Sequence, residues 1–142
     1  MIIKILSPQI PAFWDAIKFA VRAAEEIGDI PQSYYNELLH ALLSDKAQCF
    51  VALTNERALT GLVLTRLLVN KVNEEKFLYI EAFYLWGLPE SKTWEDGYSL
   101  ILKFAKKEDC KSIEFTSHSP SMWRRVEAIG FQEKTRTFTI KL

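Results

Sequence analysis

One mixed α/β domain is what these 142 residues predict, and three features of their patterning predict it. Apolar residues recur at helical spacing in two early blocks, the period then switches to that of strands, and helical spacing returns twice near the end. Hydrophobic residues make up 49% of the chain and aromatic residues 13%, enough apolar surface for one core, which argues against disorder and long-repeat architectures.

Residues 2–6 are short and β-branched, so they read as a strand that Ser7-Pro8 ends. Phe13, Ile17, Ala20, Val21, Ala24 and Ile27 then fall three or four apart, with Pro11 suited to a first helical turn and Gly28 as the stop. A second helix follows Pro31, with Tyr35, Leu38, Leu39, Leu42 and Leu43 on one stripe. From Gln48 the pattern is that of a hairpin: residues 49–53, a polar turn at Thr54-Asn55-Glu56-Arg57, then residues 58–69 with Gly61 inside. The tract 70–76 turns the chain again into the aromatic strand 77–86, whose nearly continuous apolar character predicts cover on both faces.

After the loop Gly87 to Ser91, a third helix carries Gly97, Leu100, Ile101, Phe104 and Ala105 on one face, and Lys106 and Lys107 suit its C-terminus. Residues 112–116 are a short strand. Ser119-Pro120 opens a fourth helix over residues 121–129 that Gly130 caps, and Phe138 and Ile140 alternating with Thr137 and Thr139 predict a closing strand or pair.

Composition narrows function. Eighteen Lys plus Arg balance eighteen Asp plus Glu, so the excess positive charge on which sequence-independent nucleic-acid and anionic-lipid binders depend is missing. The longest apolar run, Leu62 to Val69, is interrupted by Arg66 and is too short to span a bilayer. Cys49 and Cys110 lie in apolar settings with no CxxC or Cys/His cluster, which points to reduced thiols in a cytoplasmic setting and to no metal.

The element order, together with Cys110-Lys111-Ser112-Ile113-Glu114-Phe115 followed by Ser121 to Ile129 and Gly130-Phe131, resembles the GNAT superfamily of acyl-CoA-dependent N-acetyltransferases over essentially the whole chain. The resemblance implies a mixed, mostly antiparallel central sheet flanked by about four helices. It also implies acetyl-CoA as co-substrate and an amine acceptor, either a small molecule or a protein. In that family the loop after the fourth strand reads Arg/Gln-x-x-Gly-x-Gly/Ala and holds the coenzyme diphosphate on backbone N–H groups. Lys92-Thr93-Trp94-Glu95-Asp96-Gly97 takes that place here, with Lys92 at the Arg/Gln and Glu95 at the first glycine. The implied cofactor contacts are Leu85, Lys92, Thr93, Trp94, Gly97, Tyr98 and Ser99.

A carboxylate about 5 Å from a phosphate charge costs on the order of 3 kcal/mol at an effective dielectric of about 20, so Glu95 and Asp96 oppose that use. In the competing reading Thr93-x-x-Asp96 is a capping box that satisfies the helix end internally. Glu81, a carboxylate within the apolar fourth strand, is the implied catalytic base; its purely architectural alternative is an ion pair with Arg66. His118, after the fifth strand, is the second candidate acid or base. Val126 occupies the family's Tyr acid position and donates nothing, which leaves Tyr84 and Tyr98 as substitutes. Trp123, Arg124 and Arg125 form a basic-aromatic cluster open to a coenzyme phosphate or a partner. Besides the enzyme, two readings stay open: an inactive GNAT-like interaction or assembly protein, and a coenzyme A sensor. Monomer and homodimer are equally compatible with the sequence.

Overall fold

The computed structural model describes residues 1–25, 28–87, 91–117 and 119–142. Five strands form one sheet in chain order: β1 (Ile2–Lys4), β2 (Ala47–Leu53), β3 (Leu59–Val69), β4 (Lys76–Leu85) and β5 (Ser112–Phe115). β1 to β4 pair antiparallel, and β5 adds parallel to β4. A parallel neighbour requires a crossover, which α3 (Ser91–Lys107) supplies. One sheet face is covered by α1 (Ile10–Glu25) and α2 (Gln32–Leu43), and the other by α3 and α4 (Pro120–Ala128). This is the mixed α/β domain that the patterning predicts, with the mostly antiparallel sheet and four helices that the resemblance implies.

The larger core lies under α1 and α2. Ile17, Ala20 and Val21 from α1 and Leu38 and Leu42 from α2 meet Val51, Leu62, Leu64 and Ala82 of the sheet, all buried. Burying each such aliphatic side chain is worth about 1.5–3 kcal/mol. The opposite core is small, built on Phe50, Leu78, Ile101 and Ala105, and α4 buries none of its residues. One buried polar pair crosses the sheet there. Thr65 Oγ1 donates to Gln48 Oε1 at 2.8 Å and Gln48 Nε2 donates to the Asp45 carbonyl at 2.8 Å, so neither side chain is stranded.

Two features depart from the sequence reading. The first strand ends at Lys4, and Ser7–Gln9 form a single 3-10 turn before α1 begins at Ile10. Ile27, the expected last apolar residue of that helix, lies outside the described residues. The predicted closing strand is absent: residues 131–142 have no regular structure, although Gly130 stops α4 at φ 106° as expected. An alternating segment becomes a strand only when it meets a free edge, and this one meets none within the described chain.

Both cysteines are free thiols, Cys49 buried and Cys110 half-buried. Burial pushes the Cys49 thiol from its ordinary value near 9.0 up to about 12. Above the ordinary value the unfolded chain releases a proton that the folded chain keeps. The contribution of Cys49 is therefore complete below pH 9.0 and is lost between there and about 12, at about 1.4 kcal/mol per pH unit. Urea unfolding of wild type and Cys49→Ala, compared on either side of pH 9.0, should show a steeper alkaline decline for wild type. Equal declines would contradict the assignment.

Candidate active site

The site begins with an irregularity in β4. Along the β3–β4 ladder Thr65 faces Ile80 and Leu64 faces Ala82, so Glu81 has no opposite number and forms a bulge. Its effect is visible in the side chains: Leu78 and Ile80 face α3, whereas the consecutive residues Glu81 and Ala82 both face α1 and α2, after which Phe83 and Leu85 return to the α3 side. A bulge bends its strand and increases the local twist. The parallel ladder with β5 ends at the same point, with Ile80 opposite Phe115 as its last pair. Beyond it residues 81–85 remain paired with β3, and their other edge has no ladder among the described residues. The two strands thus part around a gap whose upper wall is the free edge of β4.

The chain leaves β4 through Gly87, at φ 112°, and enters α3 at Ser91. The N–H groups of a helix's first four residues have no partner within the helix, and the aligned peptide dipoles place about half a positive charge there. Among the described residues those donors belong to Ser91, Lys92 and Thr93. No acidic residue stands in this first turn, and Glu95 and Asp96 are exposed one turn further along. Because the helix begins at Ser91, Thr93 is its third residue and cannot cap it, so the Thr93/Asp96 capping box does not form. Gly97, Tyr98 and Ser99 sit in the second and third turns, where i→i−4 bonding uses their amides. Of the expected cradle, the residues whose amides lack a helical partner are those of the first turn. Gly97 faces β1: a Cβ there would lie 3.4 Å from Ile2 Cδ1, an ordinary van der Waals contact.

Beneath the first turn lies an apolar cavity of about 120 Å³, walled by Ile80, Phe83 and Leu85 of β4, Phe115 of β5, Trp94 and Tyr98 of α3, and Val126 of α4. Thr93 and Gly97 also line it. The fold therefore brings together five of the seven expected cofactor residues, Leu85, Thr93, Trp94, Gly97 and Tyr98. Lys92 and Ser99 are exposed and stand apart; Ser99 borders a shallow groove with Asp96 and Lys103 on the outer side of α3. The Trp94 ring packs on Phe83 with centroids 5.1 Å apart, and the Arg125 guanidinium from α4 lies 5.5 Å from the Trp94 centroid. That cation–π contact holds a positive charge beside the first turn of α3. Of the Trp123-Arg124-Arg125 cluster, Arg125 is the member that reaches this helix.

On the opposite face the bulge delivers Glu81 to a charged cluster. Arg66 Nε donates to Glu81 Oε2 at 2.5 Å, and the Tyr34 hydroxyl donates to Glu81 Oε1 at 2.7 Å. The remaining Arg66 nitrogens, Nη1 and Nη2, donate to Glu37 Oε1 and Oε2 at 2.5 and 2.7 Å. The Arg66–Glu81 pair is well buried, at 15% and 14% side-chain exposure, whereas Glu37 is 57% exposed. The bonds to Arg66 hold the Glu37 carboxyl below the usual carboxylate range. The bonds from Arg66 to Glu37 and to Glu81 raise the guanidinium's affinity for its proton. Burial, then the bond to Glu81, raises the Tyr34 hydroxyl well above its ordinary value. With two carboxylates around one guanidinium, the cluster carries one net negative charge. Each Glu81 oxygen still has a lone pair for a further donor.

The Arg66–Glu81 pairing was legible as two lone, opposite charges inside apolar strands. Tyr34 and Glu37 were missed, although their i, i+3 spacing places both on one face of α2. Of the other sequence candidates, Tyr84 is packed edge-on against Phe19 and Trp86 at 5.1 and 4.9 Å, and His118 lies outside the described residues. No helix among the described residues is long and apolar enough to cross a membrane.

No family model matches the chain, and no curated protein matches it in sequence. Solved structures do. One described as a probable acetyltransferase superposes with a TM-score of 0.72 at 17% identity, covering 100% of this chain and 97% of the other. A ribosomal-protein-alanine N-acetyltransferase from Brucella melitensis biovar Abortus superposes at 0.66 and 16%, covering 100% and 99%. An aminoglycoside acetyltransferase from an uncultured soil metagenomic sample, solved with sisomicin, superposes at 0.69 and 16%, covering 100% and 95%. At such identities the likeness is one of fold.

Proposed function

We propose that this chain, which has the GNAT-type acetyltransferase fold, moves an acetyl group from acetyl-CoA to the amine of a small molecule. The observation that carries the proposal is the coincidence of the Glu81 bulge with the end of the β4–β5 ladder. It opens an unpaired strand edge that leads from a carboxylate to a helix N-terminus, with a dry cavity alongside. The residues fit the coenzyme. Free donors of the α3 first turn, with Arg125 beside them, suit a diphosphate. The free edge of residues 81–85 suits the amide groups of the pantetheine arm in the manner of an added strand. When bound, acetyl-CoA supplies the activated acetyl thioester.

The chain's own part is to place two proton-handling groups on opposite sides of the gap. Glu81, on the α2 side, accepts the proton that the attacking ammonium group must lose. The negative charge it shares with Glu37 draws a cationic amine to that side. Tyr98, whose side chain enters the cavity on the α3 side next to Val126, supplies the proton that the departing thiol gains. The ammonium nitrogen loses two protons on becoming an amide: the first passes through Glu81 to solvent, and the second balances the proton that Tyr98 gives the sulfur and regains from solvent, so one proton is released per turnover. The sisomicin complex of a similarly folded aminoglycoside acetyltransferase supports a small, polycationic acceptor.

The test is free-thiol release from acetyl-CoA with a panel of aminoglycosides, polyamines and N-terminal peptides. Turnover with at least one small amine is expected, and none with any acceptor would overturn the proposal. Tyr98→Phe should lower kcat by about 100-fold and leave acetyl-CoA affinity unchanged. An unaltered kcat would remove Tyr98 from the acid role.

A further inference from the structure

We infer that the cavity under α3 takes a straight acyl chain longer than acetyl, carried by the coenzyme thioester, an inference that rests on the coenzyme reading above. The interior of a folded domain is close-packed, with few voids larger than a water molecule. The cavity of about 120 Å³ is such a void, and among the described residues Thr93 and Tyr98 bring the only hydroxyl groups to a lining otherwise aliphatic and aromatic. A void so lined stays dry and admits apolar guests. At roughly 30 Å³ for each carbon, the share of one water in the liquid, it holds about four.

Strand register leads the cavity away from the reacting gap. Leu85 of β4 faces Gly61 of β3, Gly61 faces Ala52 of β2, and Ala52 faces Ile2 of β1, so these positions form one row across the sheet, all on the α3 side. The row starts at the free edge of β4, and its two middle members are a glycine and an alanine. The next row, Phe83, Val63 and Phe50, is bulkier and makes a bank beside it. With no side chain at Gly61, Leu85 lies down on β3; a Cβ there would come 3.0 Å from Leu85 Cδ2. Trp94 and Ile101 of α3 roof the trough. A carbonyl carbon held in the gap then has the amine on the Glu81 side and its chain on the other. The first chain carbon stays in the gap, as the acetyl methyl does, and about four more fill the trough, so hexanoyl is the longest chain that fits. The transfer itself is unchanged: the C–S bond breaks, the C–N bond forms, the sulfur gains a proton, one proton is released, and the chain stays on the carbonyl carbon.

Isothermal titration calorimetry with coenzyme A and its acetyl, butyryl, hexanoyl, octanoyl and decanoyl thioesters reads the effect without an acceptor. Each buried methylene tightens binding about fourfold, so hexanoyl-CoA should bind on the order of 100-fold more tightly than acetyl-CoA, and decanoyl-CoA no more tightly than hexanoyl-CoA. Ala52→Leu, which fills the far end of the trough, should remove the hexanoyl gain and leave acetyl-CoA affinity unchanged. Val63→Ala, which widens it, should move the optimum to octanoyl. Hexanoyl-CoA that binds no more tightly than acetyl-CoA would overturn the inference and leave the coenzyme reading standing. A gain that continues through decanoyl, or that neither variant alters, would place the chain outside the cavity and overturn it as well. Absence of binding by every thioester would remove the coenzyme site and the inference together.

Discussion

Arg66→Met is expected to lower the unfolding free energy by about 3–5 kcal/mol, because it strands the Glu81 carboxylate at 14% exposure with only Tyr34 for a partner. For a chain of this size that is a fall in Tm on the order of 10 °C. The magnitude comes from desolvation, not from the number of bonds lost. Glu37→Gln removes the same kind of contact at a 57% exposed position and should cost under about 1 kcal/mol. Arg66→Met/Glu81→Met should recover most of the loss, since an uncharged pair of similar volume has no charge to bury. Denaturant unfolding of the four proteins checks the ordering; an Arg66→Met protein as stable as Glu37→Gln would contradict it. The acid limb follows in sign. Glu37 is held below its ordinary value of 4.5, so its contribution is complete above that value and is lost as pH falls through the depressed one.

Glu81→Gln is expected to reduce kcat by about 100-fold or more, equivalent to roughly 2.7 kcal/mol or more of barrier. Gln keeps the shape, accepts from Tyr34 or Arg66 through its one carbonyl oxygen, and leaves Arg66 bonded to Glu37. It cannot take a proton from an ammonium group. The effect should therefore appear in kcat, with KM for acetyl-CoA little changed. A parallel His118→Asn variant separates the two candidate bases. Loss of turnover in His118→Asn with a normal rate in Glu81→Gln would transfer the role to the histidine.

Periodicity carried the helices and the antiparallel strands because each buries one face, and burial of a face is what a period records. What it could not carry depends on partners distant in the chain. The bulge at Glu81 is a property of register between β3 and β4, and a run such as Phe77 to Trp86, apolar but for Glu81, has no alternation in which a slip could be read. The sequence reads Lys92 to Gly97 as a phosphate loop because a glycine after a polar stretch resembles one; in the structure these residues lie within α3, with Gly97 facing Ile2 of β1. The closing strand failed for the complementary reason: residues 137–142 have the local character of a strand but pair with no edge of the sheet. Arg66 and Glu81 were legible because a lone charge in an apolar strand calls for an opposite one; Tyr34 and Glu37 joined them only once α2 was laid across β3 and β4.

Thermal unfolding with and without acetyl-CoA bears most directly on the claim that the parted strands and the α3 first turn form a coenzyme site. Ligand at about 100 times its dissociation constant should add roughly 2.7 kcal/mol and raise Tm by several degrees. Coenzyme A lacking the acetyl group should do nearly as much, because the diphosphate and pantetheine contacts are the same. An unfolding curve unmoved by millimolar acetyl-CoA would contradict the account.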